Sequence, residues 1–114
     1  MFDSVSISAL TSALDGLSLR QNAIADNIAN INTPNYHAKR VKFEEALATS
    51  VAAGDGKVTA TVATSLEPTR TDGNNVNLDT ETLSSVDTLL RYQLASQTLG
   101  GVFSSLRSAM RTAS

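Results

Sequence analysis

Large apolar residues fall at Ile7, Leu10, Leu14, Leu17, Ile24, Ile28 and Ile31, in steps of three and four, with Gln21 at the position where the series skips. That is a heptad seam. A 3.5-residue repeat keeps one stripe turned toward a partner helix, so it favours supercoiled helices over packing on a sheet. The spacing predicts an N-terminal coiled-coil helix over residues 1–31, opened by Asp3 as cap with Phe2 and Ile7 as a hydrophobic staple.

The C-terminal segment, 78–114, repeats this grammar with Asp79 as candidate cap and Leu78 and Leu83 in the staple positions. Beyond the cap, Val86, Leu89, Tyr92, Leu99, Phe103, Leu106 and Met110 form a stripe that Leu83, Leu90 and Leu94 widen. So broad a stripe implies more than one neighbour. Asp79, Glu81 and Asp87 near the start, with Arg91, Arg107 and Arg111 later, complement the helix dipole. Gly100 and Gly101 mark either a bend or a close approach by another helix backbone.

Residues 32–56 hold a polar turn and then a short helix, "FEEALATSVAA", with Phe43, Leu47 and Val51 on one face. Residues 57–77 alternate weakly at Val58, Ala60 and Val62 before passing into Pro, Gly and Asn, which reads as a short strand or hairpin in a mobile loop. The expected architecture is mainly α and a single assembly domain. Its terminal helices pair as a coiled coil, antiparallel or steeply packed, and the seams comprise Ile7, Leu10, Leu14, Leu17 and Ile24 with Leu83, Val86, Leu90, Leu99, Phe103 and Leu106. With 114 residues, 4% aromatics and no Trp, thin helical packing suits this chain better than a deep core.

Composition narrows the function classes. A net charge of −2 gives no basic field to hold a polyanion, so nucleic acid is not the expected partner. The lack of cysteine excludes disulfides, thiolate metal sites and thiol catalysis. The first residues are acidic where a secretory signal is basic, and no apolar run reaches a membrane span, so neither a cleaved signal nor a direct membrane span is expected.

Catalytic signals are weak throughout. His37 is the one histidine and sits in a polar turn without ligand partners at metal spacing. No nucleophile-elbow pattern surrounds any serine, adjacent Glu44 and Glu45 do not face each other on a helix, and the Gly pairs lack the context of a phosphate loop. Neither enzymatic activity, a metal nor a cofactor is expected. Lys39, Arg40 and Lys42 form a basic run beside Tyr36 and Phe43, and read as a solvated or protein-contacting face. The competing reading from another class is a small helical adaptor that binds nucleic acid or an anionic surface through this run.

The most informative stretch is "ADNIANINTPNY", Ala25 to Tyr36. Asn30 stands where the first helix should stop and is placed to take a left-handed C-cap conformation. Thr33 precedes Pro34 and is pushed to extended geometry, while Pro34-Asn35 suits the centre of a type II turn, whose second residue needs positive φ. Tyr36 leaves the turn as an amphipathic anchor.

These residues resemble the bacterial flagellar rod and hook protein family, whose signature A-N-N-I-A-N-x-x-T-P-G-Y follows a first amphipathic helix. The matches are Ala25, Asn27, Ile28, Ala29, Asn30, Thr33, Pro34 and Tyr36; Asp26 and Asn35 depart from it. Asn35 replaces the usual Gly and, as the non-glycine residue most tolerant of positive φ, should keep the turn. The resemblance continues through "KFEEAL" and residues 74–110.

The resemblance implies a non-enzymatic structural subunit of the flagellar basal body that polymerises with other rod proteins and copies of itself. The short middle segment, without a large β-rich insertion, implies a proximal-rod subunit, with a second, related axial type as alternative. It further implies contacts at the base of the rod with the MS ring and export gate. Export would run uncleaved through the flagellar type III apparatus to the periplasmic side of the inner membrane. The turn from Asn30 to Tyr36 is expected to lock one subunit's orientation to the next.

Overall fold

The computed structural model describes residues 4–113, so the Asp3 cap and the Phe2 staple lie outside the described residues. Helix α1 spans Ser4–Ala29, strand β1 Lys39–Lys42, helix α2 Glu44–Ala52, strand β2 Thr61–Thr64 and helix α3 Leu78–Ala113. The molecule is elongated, 66 × 25 × 14 Å. At 1.5 Å per residue, α1 is about 39 Å long and α3 about 54 Å.

The two long helices lie side by side and run antiparallel. Gln21 Nε2, in the second half of α1, donates to Ser85 Oγ near the start of α3 at 2.8 Å, while Leu10 and Thr98 line one groove further along. The α3 residues turned from solvent are Glu81, Ser84, Ser85, Thr88, Ala95, Leu99, Val102 and Leu106. Apart from Ser84 they keep heptad register. The coiled-coil periodicity is therefore present, but the first half of the α3 seam is polar.

This corrects the expected seam within the chain. Leu99 and Leu106 do lie on the inner face, half-buried, but Leu83, Val86, Leu90 and Phe103 are exposed. The α3 rotation is set instead by polar bonds, Gln21 to Ser85 and Arg40 Nη1 to Glu81 Oε1 at 2.7 Å. A fully buried carboxylate must meet its cation, and Arg40 offers one only on that side. Of the α1 seam, Leu17 and Ile24 are buried, and Ile7, Leu10 and Leu14 are half-buried.

Helix α1 also carries a second seam of small and polar residues, Gly16, Arg20, Ala23 and Asn27, which meets β1 and α2, while Ser12 donates to Gly56 O and accepts from Val58 N in the segment after α2. The Phe43 ring presses on Gly16 so closely that a Cβ there would lie 2.5 Å from Cδ1. Arg20 stacks 4.9 Å above the same ring and donates to Glu44 at 2.6 and 2.7 Å and to the Val41 carbonyl at 2.7 Å. The core gathers Leu17, Ala23, Val41 and Phe43, with Ala13, Leu47, Val58 and Ala60 packed against it. It lies under β1 and α2 and reaches the α1–α3 seam at Leu17, which shares a groove with Thr88 and Leu89.

The small β-hairpin is present, and its first strand is the basic run. β1 pairs antiparallel with β2, Lys39 opposite Thr64 and Val41 opposite Val62, and α2 occupies the connection. Only Val41 of "KRVK" is buried, so the strand shows no alternating apolar pattern. α3 runs unbroken through Gly100 and Gly101, and nothing within 4 Å would meet a Cβ at either.

Candidate assembly interface

The polar turn is built as the residue types suggest. Tyr36 N donates to Thr33 O at 3.2 Å across Pro34-Asn35, and Asn35 sits at φ 64°, the single positive-φ non-glycine residue among those described. That is the backbone a type II turn requires. Asn30, by contrast, does not take the left-handed conformation. The helix tightens instead into three-residue turns, Ile31 N to Ile28 O at 3.2 Å and Thr33 N to Asn30 O at 3.0 Å. The Asn30 side chain donates back to Asp26 O at 2.8 Å and accepts from Thr33 Oγ1 at 3.0 Å. This local bonding ends the helix without a positive φ.

Behind the turn, three buried asparagines tie separate segments together. Asn27 Nδ2 donates to Lys39 O at 3.0 Å, and its Oδ1 accepts from Lys39 N at 2.8 Å and from the Tyr36 hydroxyl at 3.3 Å. Asn74 Nδ2 donates to the carbonyls of Asn30 and Thr33, both at 2.9 Å. Asn75 Oδ1 accepts from Ala38 N at 2.7 Å, and its Nδ2 donates to Ser65 O and Glu67 O at 3.2 and 3.1 Å. Arg70 adds bonds to Val76 O and to Ile31 O. An amide has two donors and an acceptor with two lone pairs, which is what lets one side chain stand in for a strand partner.

The amides of Asn27 and Asn30 thus bond within the chain. Around them, Ala25, Ile28, Ala29, Asn32, Thr33, Pro34 and Asn35 are exposed, and Tyr36 is half-buried. The sequence singles out this motif but assigns no role to Asn74, Asn75 or Arg70, which fall in the stretch read as a mobile loop. The available signal was the adjacent pair Asn74-Asn75 just ahead of a helix, inside the segment that carries the family resemblance.

The basic run is largely occupied. Lys39 Nζ lies 3.3 Å from Asp26, Arg40 pairs with Glu81, and Lys42 is exposed. Glu44 titrates below its ordinary value of 4.5, because hydrogen bonds from Arg20 favour the carboxylate more than partial burial disfavours it. Among the described residues no group of three or more His, Cys, Asp or Glu could hold a metal ion, and no helix is long and apolar enough to cross a membrane.

The outer face of α3 is left open. Leu83 is 73% exposed, Leu90 60% and Leu94 67%, in steps that hold them on one side of the helix with Val86. A connected, exposed aliphatic ridge is the type of surface that marks contact sites on proteins.

Residues 7–37 match the family model described as flagella basal body rod protein. Flagellar basal body rod protein FlgB of Bacillus subtilis (strain 168) is 32% identical over 118 residues, covering 91% of this chain and 92% of the relative. FlgB of Borreliella burgdorferi is 29% identical over 121 residues, covering 86% and 90%. FlgB of Borrelia hermsii is 62% identical over 34 residues, 30% of this chain and 25% of that protein. The motif, the paired terminal helices and a relative matched over nearly its whole length agree: the chain belongs to the flagellar basal body rod protein family.

Proposed function

We propose that this chain is a structural subunit of the proximal rod of the bacterial flagellar basal body, polymerising with other rod proteins and with copies of itself through its terminal helices. The observation that carries this is the aliphatic ridge of α3, exposed in a chain of a family named for the rod. Such a ridge is satisfied when neighbouring subunits bury it.

The exposed tip of the turn, Asn32 to Asn35, is held rigid by the asparagine cluster behind it and presents a fixed shape to the next subunit. In this reading the cluster orients and the tip contacts. At the base of the rod the subunit meets the MS ring and export gate, and it reaches the periplasmic side of the inner membrane through the flagellar type III apparatus without cleavage. The polar half of the α1–α3 seam supports that route. Gln21 Oε1, Glu81 Oε2 and Thr88 Oγ1 are buried there without a hydrogen-bond partner among the described residues, so this half of the helix pairing contributes less than an apolar seam of the same length would.

The test is deletion and complementation in the flagellated bacterium. Cells lacking the chain are expected to be non-motile, with basal bodies that lack a rod by electron microscopy. The intact chain should restore both, and Leu90→Asp should not. Complete rods in the deletion strain overturn the proposal.

A further inference from the structure

We infer that the outer edge of β2 pairs with the same edge of a second copy, antiparallel about a two-fold axis at Ala63, and closes a dimer that is separate from any helical assembly. Ser65 N donates to Ala38 O at 2.7 Å, and the register sets Ala63 opposite Arg40 and Thr61 opposite Lys42. Hydrogen-bonded pairs alternate along an antiparallel ladder, so Thr61, Ala63 and Ser65 turn their polar backbone groups toward β1. Those of Val62 and Thr64 point the other way. The sheet has only these two strands, all of β2 is exposed, and no described residue bonds its outer edge.

Nothing blunts this edge. From Thr59 to Leu66 the chain carries neither a charge nor a proline, the usual devices against strand pairing. Val62, opposite buried Val41, is 52% exposed, and Leu66 further along is 96% exposed. The Leu66 backbone is held on both sides, because the carbonyls of Ser65 and Glu67 accept from Asn75 Nδ2. Strand alternation sets Val62 on the face of Val41, where Ala60 packs against the core, and continues to Leu66.

Symmetry and charge identify the occupant. With Ala63 on the axis, Val62 exchanges backbone hydrogen bonds with Thr64 of the second copy, and Thr64 does the same with Val62 of that copy. Leu66 then lies beside Ala60 of the second copy and next to its Val62, so exposed apolar side chains cover each other. The same register carries Glu67 to Thr59 of the second copy, on the diagonal from its Lys57. Glu67 and Lys57 are both exposed, and neither forms an ion pair among the described residues. The two-fold axis makes this pairing twice, and exposed charges of this type fix register more than they add strength. Each copy uses the same edge, so the contact stops at two chains.

The chain has no cysteine, and opposed residues of a pair that is not hydrogen-bonded stand closest, so Ala63→Cys sets one thiol across from its own copy. Full-length Ala63→Cys, oxidised at high concentration, is expected to pass from monomer to disulfide dimer, whereas Ala48→Cys, exposed on α2, stays monomeric. Adding Thr64→Pro removes only the outward N–H and should abolish the dimer with circular dichroism unchanged. Val62→Lys places a charge on the same edge and should abolish it independently. Glu67→Lys should weaken crosslinking, and Lys57→Glu added to it should restore it. A dimer that forms equally with Thr64→Pro and Val62→Lys overturns the edge as the contact, and failed restoration overturns the register about Ala63. Mixed disulfides solely with other proteins, when the variant is oxidised in cells, overturn the second copy as occupant. Monomers throughout overturn the proposal altogether. The rod reading is tested separately, by the deletion strain.

Discussion

The side-chain amide of Asn27 bonds both polar groups of the Lys39 backbone, donating to its carbonyl at 3.0 Å and accepting from its N–H at 2.8 Å. One residue of α1 thereby acts as an extra strand beside β1 and fixes where the chain re-enters the fold after the turn. Asn27→Ala removes both bonds at a fully buried site and is expected to lower the unfolding free energy by about 2 kcal/mol in urea denaturation. Asn32→Ala, on the exposed tip, should stay within about 0.5 kcal/mol of the parent.

Glycines of the two long helices should respond oppositely to alanine. At Gly16 a Cβ meets the Phe43 ring, so Gly16→Ala should destabilise by about 1–3 kcal/mol through overpacking. At Gly100 the Cβ enters open space, and Gly100→Ala should stabilise the isolated chain by about 0.8 kcal/mol through helix propensity. Thermal melts of the two variants check both signs.

The turn gives a backbone test. Asn35→Gly keeps φ 64° without strain and should leave stability within about 0.5 kcal/mol. Asn35→Val puts a β-branched residue at positive φ and should cost about 1–2 kcal/mol. Gly73→Ala combines φ +82° with a Cβ set against Asn35 Oδ1, and should be the worst of the three. The order is readable from denaturation midpoints.

The Arg20–Glu44 pair makes one part of stability pH-dependent. The Glu44 carboxyl titrates lower in the folded chain than when unfolded, chiefly through the Arg20 hydrogen bonds, so its contribution is present above the unfolded value of 4.5. It is lost as pH falls through the folded value. From about pH 5 downward, Glu44→Gln should lose less stability than the parent chain. The difference should be small and shrink in high salt, because the Glu44 side chain is 47% exposed.

Breaking the deeper pair should cost more. Glu81 is fully buried and Arg40 half-buried, so Arg40→Ala leaves an uncompensated carboxylate and should destabilise by roughly 3 kcal/mol. The same change should loosen the start of α3 before the rest, as faster amide hydrogen exchange over its first turns.

Periodicity made both long helices legible, and proline-asparagine chemistry made the turn legible, because each depends on residues close in sequence. The outward rotation of α3 was not legible. Hydrophobicity ranked Leu83 and Leu90 as seam residues, whereas Arg40–Glu81 and Gln21–Ser85, separated by 41 and 64 positions, decide which side faces α1. β1 was hidden for the same reason, since its pairing with β2 and its support from Asn27 and Asn75 are long-range while its own four residues are mostly charged. Of the candidate site, the motif before Tyr36 was visible and its clasp at Asn74 and Asn75 was not.

That clasp imposes an order in time. A chain delivered N-terminus first exposes α1 and the turn long before Asn75 arrives to hold Ala38, and α3 follows later still. Before Asn75 emerges, Arg20–Glu44, the Ser12 bonds and the β1–β2 pairing can already close, whereas the tie from the turn to Asn74 and Asn75 comes later and the closures onto α3, Arg40–Glu81 and Gln21–Ser85, come last. The asparagine pair is therefore a latch that shuts after the β1–α2–β2 layer has closed on α1 and before α3 docks.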